Sequence, residues 1–303
     1  METNYPKSFD KLFRVEYNCE EADKFIGQGN PAAKILIVAK EWGMDIRDKK
    51  SGQLTIPYIR GIMDNFSDWR DKRHPIIKDW FECGWDWNEY HPLQPYKGQV
   101  MVLDNKNPDI RFNNRGTSAT WLAYQKFINK LLPDELKVKS REQLNFYNYC
   151  FITELSSYCM PMSRKEPKTQ ESINARIINP HGILRQPFFK EFPVIILSCY
   201  KYIDQYHIPI INCFNDEKMQ LNYEYKGIIV SQEGYRGGLP LYNDGFSNYP
   251  LKKGEFINVH EGTDCNGKKH LMLHTSHFQM KTNAWIKALA DVVRDRILLN
   301  RDF

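Results

Sequence analysis

The chain has 303 residues, a formal net charge of +5 from 42 Lys+Arg against 37 Asp+Glu, 14% aromatic residues and a mean hydropathy of −0.60. This length holds one large α/β domain or two modest ones. A charged fraction of 26% excludes wholesale disorder, and apolar runs far below the ~20 residues of a spanning helix exclude a membrane-embedded class.

Seven cysteines, none two residues apart, read as reduced thiols without a disulfide framework. The opening METNYPKSFD has no apolar signal-peptide core, so a cytoplasmic protein is expected. The mild basic excess permits a polyanionic partner without demanding one.

The first predicted strand is 34–39 (KILIVA), a short β-branched apolar run with polar flanks. Residues 44–116, rich in Trp, Tyr, Asp and Pro, break the rhythm that follows and read as an insertion. At 118–132, Trp121, Tyr124, Gln125, Ile128 and Leu131 recur at helical spacing, with Thr117 or Ser118 as N-cap and Pro133 as stop. A second strand is expected at 147–153 (YNYCFIT), a helix at 169–184 and a third strand at 194–198 (VIILS). Residues 207–262 carry turn signals and read as a second insertion. Residues 256–260 and 271–274 (LMLH) are spaced to form a hairpin at the sheet edge, and 282–299 closes the chain as a helix. Strands alternating with helices predict an α/β fold: three αβα layers around a central, mainly parallel four-stranded sheet, in a single domain over 1–303.

Ligands of open α/β sheets bind beyond the carboxyl ends of the strands. The residues there are Ala39-Lys40-Glu41-Trp42-Gly43, then Glu154-Leu155-Ser156-Ser157, then His274-Thr275-Ser276-His277-Phe278. Two carboxylates, two histidines and a serine thus converge on one rim, which suits acid/base chemistry. Equally, such residues serve as caps, salt bridges (Glu41 with Lys40 or Arg60), a histidine bonded to backbone, or core packing for Phe278. There is no G-x-S-x-G elbow and no P-loop.

The order of these segments resembles the uracil-DNA glycosylase superfamily. AKEWG (39–43) stands where that family has GQDPY, GINPG or GEAPG, and HTSHF (274–278) where it has HPSP. FITELSSYCMPMSRKEPKTQESINAR resembles its VTN segment with the following loop and helix, and FFKEFPVIILSCYKYI its third strand. The resemblance implies a DNA N-glycosylase that flips a base out of the duplex without metal or cofactor. Glu41 would activate water against the sugar C1′, and His274 would donate to the leaving base. Ser276 would contact a phosphate, and Phe278 or Met280 would wedge the gap in the stack, with His277 and Lys281 beside them on the DNA. Phe112 would stack on the flipped base, a role for which Trp42, Trp69 and Tyr96 compete.

Two departures bear on the substrate. Glu154 replaces an Asn that reads uracil; a carboxylate accepts only, and so suits the N4 amine of cytosine. Gly43 replaces a Tyr that excludes C5 substituents. Together they imply a C5-enlarged cytosine, such as glucosylated hydroxymethylcytosine in phage DNA, and a role in antiviral defence. Removal of ordinary uracil, and a catalytically silent nucleic-acid-binding protein on the same scaffold, are the alternatives. The single early Cys19 argues against the family's iron–sulfur branch. His74 with Cys83, and His260, Cys265 and His270, do not match a zinc template. A monomer is expected, with DNA as its partner.

Overall fold

The structure is a computed structural model that describes residues 5–41, 43, 45–55, 58–71, 119–140, 142, 144–160, 166–235, 237–242, 249–279 and 281–297. Its strands are β1 (Gln28–Gly29), β2 (Ile35–Ala39), β3 (Cys150–Glu154), β4 (Val194–Leu197), β5 (Glu224–Val230), β6 (Phe256–Thr263) and β7 (Lys269–Thr275). They form one mixed sheet in the order β1-β3-β2-β4-β7-β6-β5. Pairing is parallel through its middle, from β3 to β2, β4 and β7, and antiparallel at both ends. The sheet is therefore wider than the four strands expected. The 207–262 stretch, read as an insertion, supplies β5 and β6.

Every residue of β2, β3 and β4 is buried, as befits strands covered on both faces. The two-residue side-chain period divides them between two cores. Ile35, Ile37, Val194, Ile196, Leu271 and Leu273 face one core with α3 (Ala119–Leu131) and α8 (Asn283–Ile297). Leu36, Val38, Phe151, Ile195, Leu197 and Met272 face the other. That face is covered by α1 (Lys7–Leu12), α2 (Asn65–Arg70), α4 (Pro167–Ile173), α5 (Pro187–Lys190), α6 (Tyr202–Gln205) and α7 (Ile210–Phe214).

Buried polar side chains fix the joints between these layers. Gln125 on α3 is fully buried, and its Oε1 accepts from the backbone N–H groups of Asn145 and Phe146, steering the chain into β3. The α8 helix starts where Thr282 Oγ1 accepts from the Trp285 N–H at 3.1 Å. Thr282 is itself held by Glu255, to which it donates from both backbone and hydroxyl.

The helix expected at 169–184 runs as α4 only to Ile173, then widens into a π-type turn over Asn174–Ile178. Pro180 ends it, because the residue before a proline is pushed out of the helical region; Asn179 has ψ 126°. The wide turn carries Arg176 into the interior, where it is 0% exposed. The predicted hairpin is present as β6 and β7, with Asn258 opposite His274, but it is not the sheet edge, because β5 pairs outside β6. Among the described residues no helix is long and apolar enough to cross a membrane.

Candidate active site

β2 is the strand where the topology switches direction, since its successor β3 and the later β4 lie on opposite sides of it. The crevice beyond its carboxyl end is the favoured ligand position of such a sheet. On one side Ala39 pairs with Glu154, and the ladder continues past both strands: Leu155 N donates to Ala39 O at 2.8 Å and Ser156 N to Lys40 O at 2.9 Å. On the other side Ser198 N donates to Val38 O at 2.8 Å. There the ladder stops, and the Cys199 thiol takes over as donor to Val38 O at 3.3 Å.

Cys199 lies within electrostatic reach of both predicted carboxylates. Its thiol is pushed well up, first by burial, then by the charge of Glu154, with Glu41 adding and Lys40 opposing. Glu154 is 6% exposed and its charge also bears on the buried Tyr124 hydroxyl of α3. Glu41 is half-buried and its charge reaches Tyr206 behind α6. Lys40 extends its ammonium over the Tyr202 ring, 4.7 Å from the centroid, and lies 5.7 Å from that of Tyr200. The charges of two carboxylates and one cation are thus felt at the Cys199 thiol, and the cation lies beside Tyr200.

The main chain at the Cys199–Tyr200 corner is tightly held. Tyr200 has φ 51°, a left-handed conformation that is uncommon for a bulky residue. Two bonds to β7 hold it there: Tyr200 N donates to Thr275 O at 3.0 Å, and Tyr200 O accepts from His274 Nε2 at 2.7 Å. The tautomer of His274 follows from its neighbours. Tyr225 Oη donates to Asn258 Oδ1 at 3.2 Å, which turns the Asn258 amide N–H toward His274 Nδ1 at 3.4 Å. His274 therefore carries its proton on Nε2, and burial lowers its pKa, with the Tyr200 carbonyl opposing.

Glu154 is positioned from below. Arg176 donates from Nε at 3.2 Å and Nη2 at 3.0 Å to Glu154 O, from Nη2 to Thr153 Oγ1 at 3.3 Å, and from Nη1 to Asp23 O at 2.8 Å. Burial lowers its pKa to about 10, which leaves the guanidinium charged at neutral pH. A cavity of about 670 Å³ lies between the loops after β2 and β3, with Asp45, Arg47, Tyr58, Tyr158, Glu166 and Lys168 in its wall; Lys40, Glu41, Glu154 and Cys199 do not line it.

The 274–278 segment stands differently from its expected roles. Ser276, expected on a phosphate, is fully buried; its hydroxyl donates to Gly254 O and accepts from Phe256 N, both at 3.0 Å. Phe278, expected as a wedge, is 0% exposed and packs edge-on against Tyr124, Phe127 and Trp285. Both side chains are already spent on interior partners. His274 likewise bonds backbone rather than the crevice. His277 is half-buried, with Nδ1 accepting from Gln279 N at 3.1 Å. Lys281 is half-buried; burial lowers its pKa, with Glu255 opposing and Lys40 adding to the effect. Gly43 is exposed. Trp42, Phe112, Met280 and Tyr96 lie outside the described residues. Trp69 does not reach the rim; it packs on Phe9 and Phe151 and donates to Gly27 O.

Lys40, Cys199, Tyr200 and Arg176 were not singled out by sequence reasoning. Lys40 and Tyr200 are legible only as residues that follow strands. Among the described residues no group of three or more His, Cys, Asp or Glu side chains is placed to hold a metal ion. No family model, no curated protein and no solved structure matches this chain.

Proposed function

We propose that this protein is a DNA glycosylase of the uracil-DNA glycosylase type, acting as a monomer in the cytoplasm on a flipped, C5-enlarged cytosine. The observation that carries the proposal is the pairing of Ala39 with Glu154, which with the bond from Ser156 N to Lys40 O brings the Lys40–Glu41 and Glu154 ends of adjacent parallel strands together at the switch point of the sheet. In this reading the parallel run β3-β2-β4-β7 within the mixed seven-stranded sheet is taken as the counterpart of that family's four-stranded sheet.

Hydrolysis of an N-glycosidic bond passes through an oxocarbenium-like sugar. Glu41 takes the proton of a water as its oxygen bonds C1′, and its negative charge stabilises the cationic sugar. The C1′–N bond breaks and its electron pair leaves with the base. Lys40 and Lys281 supply positive charge for a phosphate or for the departing base. Glu154, anchored through its peptide oxygen by Arg176, accepts from the exocyclic amine of cytosine. In this arrangement His274 is a positioning residue that holds the Tyr200 corner.

The test is incubation with duplexes containing uracil, 5-hydroxymethylcytosine or its glucosylated form, followed by alkaline cleavage of abasic sites. Breaks only with the modified cytosines support this reading, and breaks with uracil support the plain repair enzyme. Glu41→Gln should slow excision by about 100-fold or more while DNA affinity stays within about twofold. Full activity in that variant removes Glu41 from the mechanism.

A second reading, a nucleic-acid-binding protein without catalysis, is favoured by one observation. His274, Ser276 and Phe278 are all committed to interior contacts. Salt-dependent binding with no breaks on any of the three substrates would establish it.

A further inference from the structure

The opposite end of the sheet holds a cavity of about 640 Å³, at the amino ends of β2, β4 and β7. This is within the usual volume range of small-ligand pockets, roughly 300–1,000 Å³. It lies about five residues, some 17 Å of strand, from the Glu41 rim, so the two sites share no residue. Its apolar lining, the floor, comes from Pro31, Pro193 and Met219, with the nearly buried Phe188 and Phe192 behind them.

The rim has a different chemistry. Among the described residues of its lining, Lys34, Lys268 and Lys269 stand with one carboxylate, Glu191. Glu191 is itself engaged, accepting from the Ser8 hydroxyl. The two lysines of the turn before β7 are not on a loose loop. Asp264, 7% exposed, accepts at Oδ1 from Asn266 N and Lys268 N, both at 2.9 Å. Asp264 N returns a bond to Lys268 O at 3.0 Å, and Gly267 takes the left-handed turn position at φ 74°. Cys265 N then donates to Met219 O at 2.7 Å, which ties the cationic turn to the apolar floor. The backbone bearing Lys268 and Lys269 is thus preorganised over the cavity, so ordering it on binding costs little.

We propose that this cavity is a second ligand site, which takes a small amphiphilic organic anion: an aromatic or branched aliphatic body on the Pro31–Pro193–Met219 floor and one acidic group at the lysine rim. A neutral apolar molecule would make no use of the Lys268 and Lys269 charges, and a small inorganic anion would leave the floor empty. The proposal is independent of the glycosylase reading.

The full-length protein, labelled with 13C at methionine methyl groups, is titrated with 1-naphthoate as probe and with 1-naphthalenemethanol as its neutral counterpart. The Met219 methyl signal should shift saturably with 1-naphthoate, with a Kd of about 1 mM or below for a body of this size. The neutral probe should bind at least about tenfold more weakly, and the double variant Lys268→Glu/Lys269→Glu should lose about tenfold for the anion. Ala33→Trp, which narrows the mouth while keeping all three lysines, should weaken the anion similarly. An unmoved Met219 signal, equal binding of the two probes, or unchanged affinity in the charge-reversed variant overturns the proposal. The charge reversal is at exposed positions, so it remains informative if Ala33→Trp fails to fold.

Discussion

Tyr200 and His274 hold each other in place: the Tyr200 carbonyl accepts from His274 Nε2 at 2.7 Å, and Tyr200 keeps a left-handed φ of 51° at the corner between β4 and α6. The bond explains how a bulky residue stays in a conformation it would not choose alone. His274→Ala removes the donor and leaves a gap beside Phe256, whose ring centroid lies 5.2 Å from that of the imidazole. We expect a loss of about 2–4 kcal/mol in urea unfolding, and His274→Gln, which keeps an N–H donor, should recover part of it.

The same burial makes stability pH-dependent. His260, His270 and His274 all have pKa values lowered by burial, His260 to about 4 from 6.5. A depressed histidine binds its proton in the unfolded chain first. Stability is therefore complete above about pH 6.5 and falls with pH until the folded-state value is reached. For His260 that interval corresponds to about 3 kcal/mol between pH 6.5 and 4. Unfolding free energies measured across this range should decline steadily, and His260→Gln should flatten the curve. A flat wild-type curve would contradict the buried neutral imidazoles.

Phe278 distinguishes a core residue from a DNA wedge. Packed against Tyr124, Phe127 and Trp285, it should cost about 3–5 kcal/mol when truncated to Ala and about 1–2 kcal/mol when replaced by Leu. A wedge would be nearly silent in thermal unfolding and visible only in base extrusion. Calorimetry of the two variants in the absence of DNA decides between them.

Arg176 links the amino-terminal segment to the end of β3 through Asp23 O, Thr153 Oγ1 and Glu154 O. Arg176→Lys keeps the charge but cannot span three acceptors with one ammonium. It should cost about 3 kcal/mol or more, read as a lower denaturation midpoint with an unchanged urea slope. If Glu154 reads the base, Arg176→Lys should also loosen discrimination between cytosine-type and uracil substrates, an effect a purely structural bond would not produce.

Lys40 rests on the faces of Tyr202 and Tyr200 rather than in an ion pair with a described carboxylate. If it meets a phosphate, Lys40→Met should lower the slope of log K against log salt by about 1 and weaken all duplexes alike. An unchanged slope would move the DNA path away from the switch point.

The strands at 34–39, 194–198 and 271–274, the helices at 118–132 and 282–299 and the β6–β7 hairpin were all legible, each within a few residues, because apolar runs and helical spacing are local patterns. β1 was not: Gln28–Gly29 is two residues long and has no pattern of its own. It forms because Gly27 and Gly29, at φ 141° and 97°, let the chain lie against β3, where a Cβ on either would meet a carbonyl oxygen at 2.3 Å. Fully buried Asn65 secures the approach, its Oδ1 accepting from Ile26 N and Gly27 N.

The candidate site divides in the same way. By itself the sequence determined which residues follow which strand, and hence that Glu41, Glu154 and His274 belong to one edge of the sheet, because parallel strands deliver their successors to the same end. Only the tertiary structure decided what each side chain does there. A left-handed corner at Tyr200, a wide turn that buries Arg176 and an Asn258 amide on the neighbouring strand are long-range matters of packing and hydrogen bonding. They commit His274, Ser276 and Phe278 to interior contacts, and Glu154 is itself buried at 6% exposure while Glu41 is half-buried. Strand-end chemistry can be read along the chain, but the choice between a solvent-facing group and an interior bond depends on distant partners, 80 residues away for the bond from Phe278 N to Ser198 Oγ and 153 for that from Arg176 to Asp23 O.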